Sequence, residues 1–145
     1  MKFSESMLRL YAVTDRSWTG RQTLLEQVES ALKGGATCVQ LREKELNFDA
    51  FLDEAIQLKA LCSRYGVPLI INDNVEIALR CGADGVHVGQ EDMEAGGVRA
   101  KVGPDMIVGV IQMEITSQFG SVLSAGTTRC LPSSLQVYLE AEDGE

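Results

Sequence analysis

Three short runs concentrate the polar chemistry of this chain: Gln40-Leu41-Arg42-Glu43-Lys44, Asn72-Asp73-Asn74 and His87-Val88-Gly89-Gln90-Glu91-Asp92. Each lies at the end of an apolar stretch. Asp73 and Asp92 are two carboxylates suited to a hard cation, and Mg2+ usually takes one or two protein carboxylates and keeps water or phosphate oxygens for the rest. Arg42 and Lys44 beside them would compensate phosphate charge. Gln40 and Asn72 offer the paired donor and acceptor edges that a neutral heterocycle needs. The set reads as a site for an Mg2+-bound diphosphate attached to a hydrogen-bonding ring.

Each run also has a plainer reading. An isolated Arg-Glu-Lys after a strand is usually a solvated charge run. Here, however, Gln40 and Arg42 alternate with Val39 and Leu41, which places both on one face where aliphatic residues are otherwise expected. Asn72-Asp73 would serve equally as a helix cap, as would Asp92. A lone mid-strand histidine such as His87 is more often a core or rim residue than a catalyst, and Trp18 reads as packing. The glycines fit neither a dinucleotide-binding nor a P-loop pattern.

The elements that must position these runs alternate regularly. Leu8 to Thr14 reads as a buried strand. Leu24, Leu25, Val28, Ala31 and Leu32 recur at helical spacing, closed by Gly34-Gly35. Thr37 to Leu41 is a second strand, about 48–65 a second helix capped by Gly66, and Val67 to Ile71 a third strand with Pro68 near its start. Val75 to Cys81 is a two-turn helix ended by Gly82, followed by a strand over Gly85 to Val88. Glu94 to Val102 is a helix weakened by Gly96-Gly97, and Met106 to Ile111 is a fifth strand. Strands separated by helices at this spacing predict a parallel sheet of βαβ units. Because ligand sites in such folds gather at the carboxyl ends of the strands, the three polar runs share one rim. After Ile111 the pattern is lost, Leu131-Pro132-Ser133-Ser134 breaks any helix, and Val137-Tyr138-Leu139 is too short to anchor much.

The chain has 145 residues, 45% of them hydrophobic and 23% charged, which suits one globular domain and excludes wholesale disorder. Its net charge of −8 argues against a nucleic-acid surface. No apolar run reaches the ~18 residues of a membrane span, and the N-terminus lacks signal-peptide character. Cys38, Cys62, Cys81 and Cys130 lie far apart, as expected of reduced thiols in a cytoplasmic protein, two or three of them core fillers. The composition leaves room for a homo-oligomer.

Taken in order, Leu10-Tyr11-Ala12-Val13-Thr14-Asp15, the Lys33-Gly34-Gly35-Ala36 turn, Val39 to Lys44, Ile70-Ile71-Asn72-Asp73 and Gly82 to Asp92 resemble the thiamine-phosphate synthase family. The resemblance runs from about residue 8 to 110. It implies an α/β fold of the TIM (β/α)8 barrel type, present here as an incomplete barrel of about five βα units over 1–111, with a tail over 112–145. It implies a transferase that joins hydroxymethylpyrimidine diphosphate to thiazole phosphate and releases diphosphate. Carried onto this chain, Gln40, Leu41, Arg42, Glu43, Lys44 and Asn72 would bind the pyrimidine diphosphate, Lys44 would assist departure of diphosphate, and Mg2+ would sit on Asp73 and Asp92. The related thiazole tautomerases usually lack this full set.

The departures are equally specific. The family has Ser after Gly-Val at the end of strand five, where this chain has Ile111 after Gly109-Val110. The family's Pro-Thr-x-x-Lys loop for the thiazole phosphate is absent, as are its Gly-Gly segment, its last phosphate loop and strands six to eight. The abrupt change is what a frameshift or truncation would produce. Eight βα units need on the order of 200 residues, so five could also form an open flavodoxin-like sheet. Two functional alternatives follow: a non-catalytic Mg2+- and diphosphate-binding α/β module, or an inactive truncated product.

Overall fold

The computed structural model describes residues 3–16, 20–89, 95–111 and 136–138. The expectations for Trp18, Asp92, Cys130 and most of the 112–145 segment lie outside these residues. Five parallel strands, β1 (Tyr11–Val13), β2 (Cys38–Leu41), β3 (Leu69–Asn72), β4 (Gly85–Gly89) and β5 (Ile107–Ile111), alternate with helices α1 (Leu24–Lys33), α2 (Phe48–Arg64), α3 (Val75–Cys81) and α4 (Ala95–Val102). A sixth strand, β6 (Gln136–Tyr138), pairs antiparallel with β1, so this short segment does join the sheet.

The strand order is β5-β4-β3-β2-β1-β6. Consecutive parallel strands are therefore neighbours throughout, with no reversal of order. A flavodoxin-like sheet reverses direction after its first strands and carries helices on both faces. Here Val39, Leu41, Leu69, Ile71, Val86 and Val88 share a single large core with helix residues that include Val28, Phe51, Ala55, Leu58 and Ile77. One-sided helices on a sequentially ordered parallel sheet are the arrangement of a barrel wall. The sheet is a barrel segment and does not close among the described residues.

Local chemistry sets the element ends. Thr23 and Glu26 form a reciprocal capping box that starts α1. Asn47 caps α2 and Asn74 caps α3, each accepting a backbone N–H in the first turn. Gly82 ends α3 with φ +67°, a conformation that costs little only without a Cβ. β1 is shorter than its apolar run because Glu5–Leu8 winds into a 3-10 turn. Thr37 holds that turn: its hydroxyl donates to the carbonyl of Met7 at 2.9 Å and accepts from the N–H of Leu10 at 2.8 Å. Among the described residues no helix is long and apolar enough to cross a membrane.

The opposite sheet face is graded. It carries a small second core of Tyr11, Val13, Cys38 and Ile70, in which Val13 and Ile70 flank Gln40 in register. Toward the carboxyl ends it carries Gln40, Asn72 and His87, all buried. The thiols of Cys38 and Cys62 are buried and free, and burial pushes that of Cys62 up to about 11, so they act as apolar fillers. Cys81 is free and partly buried.

At the amino-end rim, Asp84 Oδ2 accepts from Lys59 Nζ at 2.7 Å and from the N–H of Leu69 at 2.9 Å. The Asp84 side chain is only 10% exposed, so its loss strands a backbone donor and a half-buried ammonium together. Asp84→Ala is expected to lower unfolding free energy by about 2–3 kcal/mol in urea titration. Asp84→Asn keeps an acceptor for Leu69 and should cost less.

Candidate active site

The polar residues of the inner face occupy two successive levels of the strand ladder. Gln40 pairs with Val13 on one side and Ile70 on the other. One step toward the carboxyl rim, Asn72 pairs with His87, which pairs with Gly109. The ladder then ends in the loops that carry Arg42, Lys44 and Asp73.

Asp73 is the centre of the cluster. Its Oδ2 accepts from Lys44 Nζ at 2.6 Å and from Asn72 Nδ2 at 2.9 Å. Its backbone is left-handed, φ +63°, the sole such non-glycine residue among those described. The N–H of Asn74 reaches back to the carbonyl of Asn72 at 2.8 Å, so Asp73 sits at the centre of a tight three-residue turn. Strain of this kind persists where the surroundings over-determine it, typically at functional sites. The helix cap expected of the Asn72-Asp73 pair is supplied by Asn74 instead, whose Oδ1 accepts from the N–H of Ile77 at 2.9 Å. Asn72 and Asp73 are thereby released from capping.

The other residues singled out in the sequence fall into distinct positions. Gln40 is buried, and its Nε2 donates to the Tyr11 hydroxyl at 2.8 Å, which leaves its carbonyl oxygen toward the inner face. Leu41 is fully buried in the helix-side core, so only its backbone is available at the rim. Arg42 is exposed, with its backbone N–H held by the Thr14 hydroxyl at 3.0 Å. Lys44 is exposed apart from its contact with Asp73. Glu43 behaves differently: its side chain is buried and paired with Arg16. Asp92 lies outside the described residues.

Sequence reasoning passed over Arg16 and Tyr11. Arg16 follows β1 at the same carboxyl rim as the three polar runs, and that position is the signal that would have found it. Its guanidinium donates to Glu43 Oε2 and to Glu54 Oε1, at 3.0 and 2.6 Å. Burial alone would raise the Glu43 carboxyl, but the N–H groups of Glu45 and Leu46 and the Arg16 guanidinium outweigh it and hold the carboxyl below the usual range. Glu54 moves the other way because its burial exceeds what Arg16 returns.

His87 forms the floor beside Asn72. A Cβ on Gly109 would stand 2.6 Å from His87 Cδ2, so the imidazole lies in the space a side chain would fill. Its Nδ1 is buried without a hydrogen-bond partner among the described residues. Burial lowers its pKa below the ordinary 6.5, against a smaller opposite pull from Asp73. As pH falls below the ordinary value, the unfolded chain takes up the proton before the folded chain does, so stability drops. Thermal melts should show a lower midpoint at about pH 5 than at about pH 7, and His87→Asn should flatten part of that slope.

A family model described as Thiamine monophosphate synthase matches residues 10–115. The chain belongs to the thiamine monophosphate synthase family. Thiamine-phosphate synthase of Albidiferax ferrireducens is 50% identical over 102 residues, 70% of this chain and 47% of that protein. The enzyme of the same name from Desulfitobacterium hafniense is 51% identical over 100 residues, 69% of this chain and 48% of that protein. A thiamine phosphate pyrophosphorylase from Pyrococcus furiosus superposes with a TM-score of 0.68 at 33% identity, covering 74% of this chain and 51% of that one. The chain thus spans about half the length of the thiamine monophosphate synthase relatives it matches. The matched part holds β1 to β5 and every described member of the polar rim.

Proposed function

We propose that this chain carries the pyrimidine-diphosphate half of a thiamine-phosphate synthase site, the family reaction being the joining of hydroxymethylpyrimidine diphosphate to thiazole phosphate. The observation that carries the reading is the Lys44–Asp73–Asn72 contact set around a strained Asp73 at the strand ends. Arg42 and Lys44 are the cations for the diphosphate. Asn72 and the free oxygen of Gln40 are the polar edges for the ring.

The residues fit Mg2+. Both side-chain contacts of Asp73 fall on Oδ2, leaving Oδ1 without a hydrogen bond among the described residues. No group of three or more metal-ligating side chains gathers among those residues. One or two carboxylates suffice for Mg2+ when phosphate oxygens and water complete its shell, and Asp92 is the second carboxylate in this proposal. Bound there, Mg2+ would neutralise charge building on the departing diphosphate.

The protein's own part is electrostatic. The bond between the pyrimidine methylene carbon and the diphosphate oxygen breaks, and the oxygen keeps the electron pair. Lys44 and Arg42 stabilise that oxygen's charge, and no nucleophilic side chain is needed. The thiazole nitrogen then gives its lone pair to the methylene carbon. The free buried thiols suit a cytoplasmic setting for this chemistry. The boundary near residue 111 belongs to the same proposal.

Calorimetry with inorganic diphosphate tests the half-site. Binding that needs Mg2+, with Kd of about 0.1–1 mM, is the expected result. Binding of equal strength without Mg2+, or after Lys44→Ala, would contradict it.

A further inference from the structure

We infer that Glu43 is a positioning residue, clamped by Arg16 so that the turn after β2 delivers Lys44 to Asp73; this rests on the reading that Lys44 and Asp73 face a diphosphate. Glu43 stands between two exposed cations, yet its side chain is 2% exposed. Both of its oxygens are engaged. Oε2 accepts from Arg16 Nε at 3.0 Å, and a second Arg16 nitrogen lies 2.9 Å away. Oε1 accepts from the backbone N–H groups of Lys44 and Glu45, each at 3.0 Å. The carboxylate therefore folds the chain back around itself immediately after Arg42.

Arg16 is anchored in turn. It leaves the end of β1 and also holds Glu54 Oε1 on α2 at 2.6 Å. The clamp joins three elements: the β1 end, the β2 loop and the α2 helix. A fork-shaped guanidinium suits this better than a lysine, because it reaches two carboxylates from fixed directions. With the turn held, the Lys44 stem projects across the rim and its ammonium reaches Asp73 Oδ2. Among the described residues the Glu43 side chain bonds to no side chain proposed to meet the ligand, and its link to the site is the backbone N–H of Lys44.

The test combines amide exchange with calorimetry on the full chain, using Mg2+ and inorganic diphosphate. Glu43→Ala should speed exchange at Lys44 and Glu45 by about tenfold or more, as expected for loss of a hydrogen bond to a charged group, with β3 and β4 amides unchanged. It should weaken diphosphate binding by about tenfold in the Lys44 background and not at all in a Lys44→Ala background, because residues acting through one another are not additive. Glu43→Gln, which keeps one acceptor oxygen, should recover most of the exchange protection. Arg16→Met should reproduce the Glu43→Ala exchange pattern from the other end of the clamp, and serves if Glu43→Ala fails to fold. Unchanged exchange at Lys44 and Glu45 would overturn the clamp. So would faster exchange with unchanged diphosphate affinity, or equal losses in both Lys44 backgrounds. If the parent chain binds no diphosphate, the half-site reading fails, and the exchange arm still decides whether Glu43 holds the turn.

Discussion

Asp73→Gly is expected to make the chain more stable and unable to bind Mg2+ with diphosphate. The two effects come from the same residue by separate routes. Asp73 holds φ +63°, which any residue with a Cβ occupies at a cost and glycine occupies freely. Its ion pair with Lys44 is about half exposed on the lysine side and returns little stability. Removing the side chain relieves that strain but also takes the acceptor from Asn72 Nδ2, so the net gain in unfolding free energy, read from urea titration, should stay below about 1 kcal/mol. Ligand binding should move far in the other direction. Loss of groups that merely support a metal ligand typically costs 10–100-fold, so loss of the proposed ligand itself should weaken binding by at least about a hundredfold and take it below calorimetric detection. Asp73→Asn separates the parts: it tolerates the left-handed backbone, keeps the hydrogen-bonding shape and removes the charge. It should fold like the parent and bind like Asp73→Gly. Equal diphosphate binding by all three would remove Asp73 from the site.

The second large effect concerns turnover. The 145-residue chain, supplied with Mg2+ and both substrates, should form thiamine phosphate at less than about a thousandth of the rate of a full-length relative such as the Albidiferax enzyme. By the resemblance, Ile111 stands where a Ser is expected, and residues 112–145 contain neither a Pro-Thr-x-x-Lys run nor any lysine to meet a second phosphate. The acceptor nitrogen must be held in place before water captures the pyrimidine carbocation, and such orientation supplies about 7–11 kcal/mol in well-ordered sites. A wetter rim also weakens each charge contact. Product formation near the rate of the full-length enzyme would show that residues 112–145, or a second copy of the chain, supply the acceptor site. A chain that binds diphosphate without turnover would instead behave as the non-catalytic module.

Much of this arrangement is legible in the sequence. The bounds of α3 fall where Val75 to Cys81 predicts them, because Asn74 and Gly82 punctuate both ends. β1 is overestimated because Leu8 and Leu10 are apolar for different reasons: Leu8 packs from a 3-10 turn against the second core, and strand pairing begins at Tyr11. Alternation from Val39 to Arg42 correctly puts Gln40 on the face opposite the helices. It cannot say that the Gln40 amide is already bonded to Tyr11, a residue 29 positions away. Arg-Glu-Lys reads alike whether its glutamate is solvated or clamped, and the difference lies in Arg16, a long-range partner that spacing does not encode. The left-handed turn at Asp73 is invisible for the same reason. The helix start at Val75 makes Asn74 its cap, but nothing in an Asn-Asp-Asn run says that the middle residue takes a left-handed backbone. The choice between barrel wall and flavodoxin-like sheet likewise needed strand order, since both give the same alternation of strands and helices.

The central claim is that Mg2+ and diphosphate meet at the carboxyl rim formed by the β2, β3 and β4 ends. Mn2+ substituted for Mg2+ broadens the amide signals of nearby residues in nuclear magnetic resonance spectra, and so reports location directly. With diphosphate present, the account predicts broadening centred on Arg42 to Lys44, Asn72 to Asn74 and His87, while Leu69 and Asp84 at the opposite end of the strands stay sharp. Broadening centred on Lys59 and Asp84, or spread evenly over the acidic surface, would contradict it.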